Sequence, residues 1–181
     1  NWRSFRSGAN TGIYYRSDDI NPTPSSPPTA SSNSSSINQI QLEFSPSSAM
    51  TFTSSTTTQR NTTAVRAGTT SQVVLGVEVV TAGNTSPISI TNFNFNILGT
   101  TSTGDISNAR VYSTGSSSTF AAGTQYGNTI LSPNGTFSVS GSQVLGIGTN
   151  YFWLTYDIVS GANDGNVIDA ICESITVDAA D

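Results

Sequence analysis

Apolar and polar positions alternate most clearly over residues 151–158. Phe152, Leu154, Tyr156 and Ile158 fall on one side of an extended chain, and Tyr151, Trp153, Thr155 and Asp157 on the other. One side is a core face, and the second carries enough aromatic surface to be half covered, which predicts a strand in the middle of a sheet. Residues 72–80 are nearly continuous apolar sequence and predict a buried strand. Beyond the turn at 83–87, Ile88 and Ile90 have one parity and Phe93, Phe95 and Ile97 the other, which predicts a bulge at Thr91-Asn92. Residues 105–114 carry Ile106, Val111 and Tyr112. Residues 136–140 place Phe137 and Val139 on one face after a Pro-Asn-Gly turn. Asn163-Asp164-Gly165-Asn166 predicts a hairpin returning the chain from 158 into a strand over 167–177. No stretch has the 3.6-residue period of a three-turn helix.

Ahead of this body the pattern changes. Residues 39–44 alternate strictly, with Ile40, Leu42 and Phe44 on one side, and Met50-Thr51-Phe52 adds a second short extended piece. Residues 1–36 have no period. They mix Trp2, Phe5, Tyr14 and Tyr15 with Arg3 and Arg6, then run into a Pro-rich and Ser-rich stretch of extended bias. The organisation read from this is an N-terminal arm over 1–36, a strand-bearing connector over 37–68 and a sandwich over 69–181. The fold class is all-β: an immunoglobulin-like antiparallel β-sandwich of about seven strands preceded by an extended N-terminal arm. The spacing Leu145-x-x-Gly148-x-x-Tyr151 also fits the turn at which a corner tyrosine of such sandwiches bonds back to the main chain.

Composition narrows the chemistry. Only 9% of residues are charged, and the six basic residues are all Arg, with no Lys or His. Without His or Lys the usual Ser-His-Asp, Cys-His, Schiff-base and Ser-Lys systems are excluded. Cys172 is a single cysteine, so neither an internal disulfide nor a cysteine-based zinc site is available. Together these predict a protein that is not an enzyme and uses no cofactor. Low charge with many Ser, Thr and Gly residues fits a secreted, extracellular β protein, or a compositional habit of the source. The net charge of −5 argues against a nucleic-acid partner. No apolar run is long enough for a membrane-inserted helix. The start at Asn1-Trp2, without Met, suggests a processed chain or a fragment.

The charge is uneven. Residues 1–70 carry five Arg against Asp18, Asp19 and Glu43, whereas residues 71–181 carry Arg110 against eight acids. Asp169 and Glu173 share strand parity, but four residues of strand set their backbones about 13 Å apart, beyond glycosidase spacing. Asp157, Asp164 and Asp169 are weak calcium candidates, since calcium needs six to eight oxygens and the Asn-Asp-Gly-Asn run equally serves a tight turn. Tyr112 and Trp153 are candidates for a glycan platform on which sugar rings stack. Asn33, Asn61, Asn84 and Asn134 open glycosylation sequons.

Three runs, 103–115, 150–158 and 165–170, resemble in order and spacing the β-sandwich module at the N-terminal side of BNR-repeat neuraminidases, a module that recurs in secreted surface proteins of Bacteroidota. The similarity spans about residues 55–177. It implies a non-catalytic accessory or adhesin-type module at the cell surface, and brings no catalytic residues with it. The first fifty residues lie outside it. Two functions follow as expectations. In one, the chain is a structural subunit of an extracellular filament or surface layer, with copies of itself as partners. Its arm (Trp2, Arg3, Phe5, Arg6, Tyr14, Tyr15, Ile40, Leu42, Phe44) docks on a neighbour by strand addition, unless 39–44 joins its own sandwich. In the other it is a carbohydrate-binding module that meets surface glycans.

Overall fold

The computed structural model describes residues 46–180 in full, and nearer the N-terminus the backbone of four short strands. These are β1 (Arg3–Arg6), β2 (Gly12–Tyr14), β3 (Ser32–Ser34) and β4 (Ser36–Gln39). β1 pairs antiparallel with β4, and β2 with β3, so this segment folds back on itself. The chain forms two compact units, Asn1–Pro46 and Ser47–Asp181. Of the arm candidates, Arg3, Phe5 and Arg6 lie on β1 and Tyr14 on β2. Trp2, Tyr15, Ile40, Leu42 and Phe44 lie outside the described residues, as does the alternating run beyond Gln39.

The second unit is the expected all-β, immunoglobulin-like sandwich. Its strands are β5 (Thr51–Thr58), β6 (Gln72–Ala82), β7 (Ile88–Asn96), β8 (Ile106–Gly115), β9 (Thr124–Leu131), β10 (Thr136–Val144), β11 (Gly148–Ile158) and β12 (Ile171–Ala179). A five-stranded sheet runs β5-β6-β11-β8-β9, and a three-stranded sheet runs β10-β7-β12; every pairing is antiparallel. β11 is the central strand, bonded to β6 on one side and β8 on the other. Phe152, Leu154, Tyr156 and Ile158 point into the core, as their parity requires. The sheets meet through rings. Phe93 lies 5.1 Å from Phe152, 5.6 Å from Phe95, and 5.2 Å edge-on from Tyr126. One residue each from β7, β9 and β11 thus interlocks the layers.

The bulge expected at Thr91-Asn92 is present: Thr176 faces Asn92 and Val177 faces Ile90, which leaves Thr91 as the extra residue. The hairpin expected after Ile158 is not. Residues 159–170 instead carry the chain across to the other sheet, and β12 pairs with β7 rather than β11. The Asn163–Asn166 turn is real but local, with the Asn166 N–H donating to the Asn163 carbonyl at 3.3 Å. A turn motif fixes a reversal only where its flanks can pair, and here the flanking residues cross over the core edge.

Two strands carried too little apolar pattern to be foreseen. β5 is Thr-rich and Ser-rich and extends well beyond Phe52, within the stretch read as a connector. β9 holds only Tyr126 in the core, with Ile130 packed against it. β9 and β10 close one side of the sandwich, and Gly127 makes that closure tight. Its φ is +62°, and a Cβ there would run into the Ser140 carbonyl oxygen and sit 2.9 Å from Val139 Cγ1. Gly127→Ala is expected to destabilise the fold by about 2 kcal/mol or more through strain and clash. Thermal melting checks this, as a fall of about 5 °C or more.

Candidate functional site

The outer face of β11 carries the largest aromatic cluster outside the core. Trp153 sits between Gly76 of β6 and Tyr112 of β8. A Cβ on residue 76 would come within 3.3 Å of both Trp153 Cζ3 and Arg60 Cγ, so glycine there leaves room for the indole. Trp153 Nε1 donates to Thr114 Oγ1 at 2.8 Å. Two loops then close over the ring. The Arg60 guanidinium lies 5.5 Å from its centroid, and Phe120 meets it edge-on at 6.0 Å while meeting Tyr112 at 5.8 Å. Trp153 is 3% exposed and Tyr112 9%. The two aromatics expected to form a glycan platform are therefore neighbours, but neither offers the open ring face that stacking on a sugar needs. What remains at the surface is a depression of about 460 Å³ beside them, lined by Arg60, Asn61, Gln72, Ser118, Thr119 and Phe120.

Tyr151 stacks on Trp153, with rings 6.3 Å apart and 19° from parallel. Among the described residues its hydroxyl makes no hydrogen bond back to the main chain, so it is not a tyrosine corner. Its neighbour does that work. Asn150 Oδ1 accepts from the Gly146 N–H at 2.8 Å, and its amide donates to the carbonyls of Gly146 at 2.9 Å and Gly148 at 3.2 Å. The Thr81 hydroxyl donates to the same Gly146 carbonyl at 2.7 Å, tying the turn to β6.

The acidic candidates have separate fates. Asp157 is buried, and its carboxylate accepts from the Ser71 N–H (2.9 Å), the Asn108 amide (2.8 Å) and Arg110 Nη1 (2.6 Å). Burial pushes this carboxyl up, but the three hydrogen bonds and the Arg110 charge outweigh it and hold the group below the usual carboxylate range. Asp169 accepts from the Gln59 amide and from the Ala170 N–H. Asp164 is exposed on its turn. The calcium candidates are thus not brought together, and among the described residues no three acidic or cysteine side chains converge. Glu173 accepts from the Asn96 amide at 2.8 Å, on a different strand pair.

Sequence reasoning missed Asp105, Asn108, Arg110 and Asn166 as individuals. Asp105 is buried and accepts from the Asn166 amide at 2.6 Å, which fastens the crossing loop to the start of β8. Thr100 and Thr101 secure the same loop, accepting from the N–H groups of Asp169 and Val167, each at 2.8 Å. Polar residues breaking apolar strands, with Asn108 directly opposite Asp157 in register, were the available signal. They are the polar struts of the sandwich.

Cys172 lies on β12, partly buried against the core. Burial pushes its thiol up to about 11; the Ser174 carbonyl contact works against this and the Glu173 charge adds to it. Iodoacetamide at pH 8 is expected to modify Cys172 about 100-fold more slowly than a free cysteine of pKa near 8.5, because the thiolate is the nucleophile. Mass spectrometry of a time course checks this.

The fold and its internal polar bonds define an antiparallel β-sandwich module. Residues 53–181 match the family described as the N-terminal domain of BNR-repeat neuraminidase, and the chain belongs to that family. The match starts two residues before the stretch the motifs had marked and extends through Asp181. Comparison with curated proteins finds no match.

Proposed function

We propose that the protein is a non-catalytic extracellular structural subunit that joins copies of itself into a filament or surface layer. The observation that carries this is the unequal width of the two sheets. Five strands face three, and every residue of the edge strand β5 is exposed. A sheet edge without a main-chain partner is a template for strand addition. The polar motif residues hold the fold together, which leaves edges rather than side-chain chemistry as the means of action. Negative-stain microscopy with sedimentation of the full chain tests it: fibres or sheets are expected, and dispersed monomers over the whole concentration range would overturn it.

A second reading, an accessory module that binds surface glycans, is favoured by the family and by the depression lined by Arg60, Asn61, Phe120 and the edge of Trp153. It predicts saturable binding on a glycan array that Arg60→Ala and Asn61→Ala abolish while the melting profile stays nearly unchanged. An array without signal for soluble monomer counts against it.

A further inference from the structure

We infer that the depression beside Trp153 holds the carboxylate of an acidic sugar, with Arg60 as the residue that grips it. This rests on the glycan-binding reading above and names the class of saccharide. Arg60 is exposed, yet its side chain is laid down against the sheet. A Cβ on Gly76 would come within 3.3 Å of both Arg60 Cγ and Nε, and the guanidinium sits 5.5 Å from the Trp153 ring centroid. Stacking occupies the face of a guanidinium and leaves its N–H edge open. Among the described residues that edge has no acceptor. The ion pair belongs to Arg110 and Asp157, and no hydrogen bond commits the Arg60 guanidinium to the protein.

The rim supplies neutral hydrogen-bonding groups. The Asn61 side-chain oxygen already accepts from the Thr63 N–H at 3.1 Å and the Thr63 hydroxyl at 2.6 Å, so its amide nitrogen is the part it offers. The Gln72 amide donates to the Thr70 carbonyl at 3.3 Å, which leaves its side-chain oxygen as an acceptor. Ser118 and Thr119 add hydroxyls, and Phe120 adds an apolar wall. Donors and acceptors mixed in this way suit sugar hydroxyls, which both donate and accept.

Charge selects the anion. Among the described residues no acid lines the depression, and Arg60 is its one cation. Asp157, which accepts from the Ser71 N–H, is neutralised by Arg110. Glu78 stands two positions beyond Gly76 on β6, across from Thr56 and Tyr151. A lone guanidinium balances a single negative charge, and its planar fork matches the two oxygens of a carboxylate. A phosphate dianion would be left half compensated. The volume of about 460 Å³ is that of a small-ligand site and takes a short saccharide.

The test is an array of short saccharides on which each carboxylated sugar is printed beside its own methyl ester, with sulfated and neutral sugars alongside, probed with the full chain. Free acids are expected to bind about tenfold or more tightly than their esters, the effect of one charge-assisted bidentate contact. Arg60→Gln is expected to lose the same factor, and Arg60→Lys, which keeps the charge without the fork, to recover part of it. Equal binding of acid and ester, or sulfated sugars bound as tightly as carboxylated ones, overturns the carboxylate and leaves the glycan reading standing. Binding of acids that Arg60→Gln does not weaken overturns Arg60 as the grip. Binding of no saccharide overturns both readings. The comparison of acid with ester is made on the native chain, so it decides even where a substitution at Arg60 loosens the loop.

Discussion

Replacing Asp157 with alanine is expected to destabilise the sandwich by about 3 kcal/mol, because it leaves a guanidinium and two further donors facing a cavity. The donors are Arg110 Nη1, the Asn108 amide and the Ser71 N–H. Arg110 keeps 22% of its side-chain surface exposed against 7% for Asp157, so it can still reach water. The estimate therefore sits at the low end for a broken buried pair. Urea unfolding of the full chain at pH 7 measures it, and the corresponding fall in melting temperature is about 10 °C. The effect has a defined pH dependence. The folded carboxyl is held below its unfolded value of about 3.9, so its contribution is complete above that value and is lost as the pH falls through the lower folded one. The gap between wild type and Asp157→Asn should be constant from pH 7 to about 5, then shrink in acid. A gap that stayed constant to pH 2 would show that the ionised form is not what stabilises the fold.

The same pair shows how much of this protein could be read from its sequence. The apolar parity of β11 gave the core face correctly, because Phe152, Leu154, Tyr156 and Ile158 share one side of the strand, whereas the burial of Trp153, Thr155 and Asp157 on the other side goes beyond the half-covered face that was expected. The bulge at Thr91 was legible for the same reason, as a change of parity between apolar residues. β5 was not, since Thr and Ser on an exposed edge strand carry no period, and its pairing with β6 rests on main-chain bonds alone. The crossing of residues 159–170 was hidden too. It depends on Asp105 meeting Asn166 and on Thr100 and Thr101 meeting Asp169 and Val167, contacts far apart in sequence. At the outer face, composition marked Trp153 and Tyr112 as a pair but could not show the loops bearing Arg60 and Phe120 lying over them.

That covering turns the second large prediction against the use first imagined for Trp153. Trp153→Ala is expected to destabilise the protein by about 3–5 kcal/mol, as for other large-to-small changes at buried aromatics. The indole is 3% exposed, holds Thr114 through its Nε1–H, stacks with Tyr151 and anchors both covering loops. Phe120→Ala and Arg60→Ala remove one contact each and are expected to destabilise by about 1 kcal/mol or less. Differential scanning calorimetry of the three variants separates a buried strut from an open platform. If Trp153 were a ligand-stacking ring held clear of the fold, its loss would leave the melting temperature where it was. If it is a strut, the alanine variant loses stability with or without any glycan present. Binding tests of the adjoining depression then belong to Arg60 and Asn61, whose removal leaves the sandwich standing.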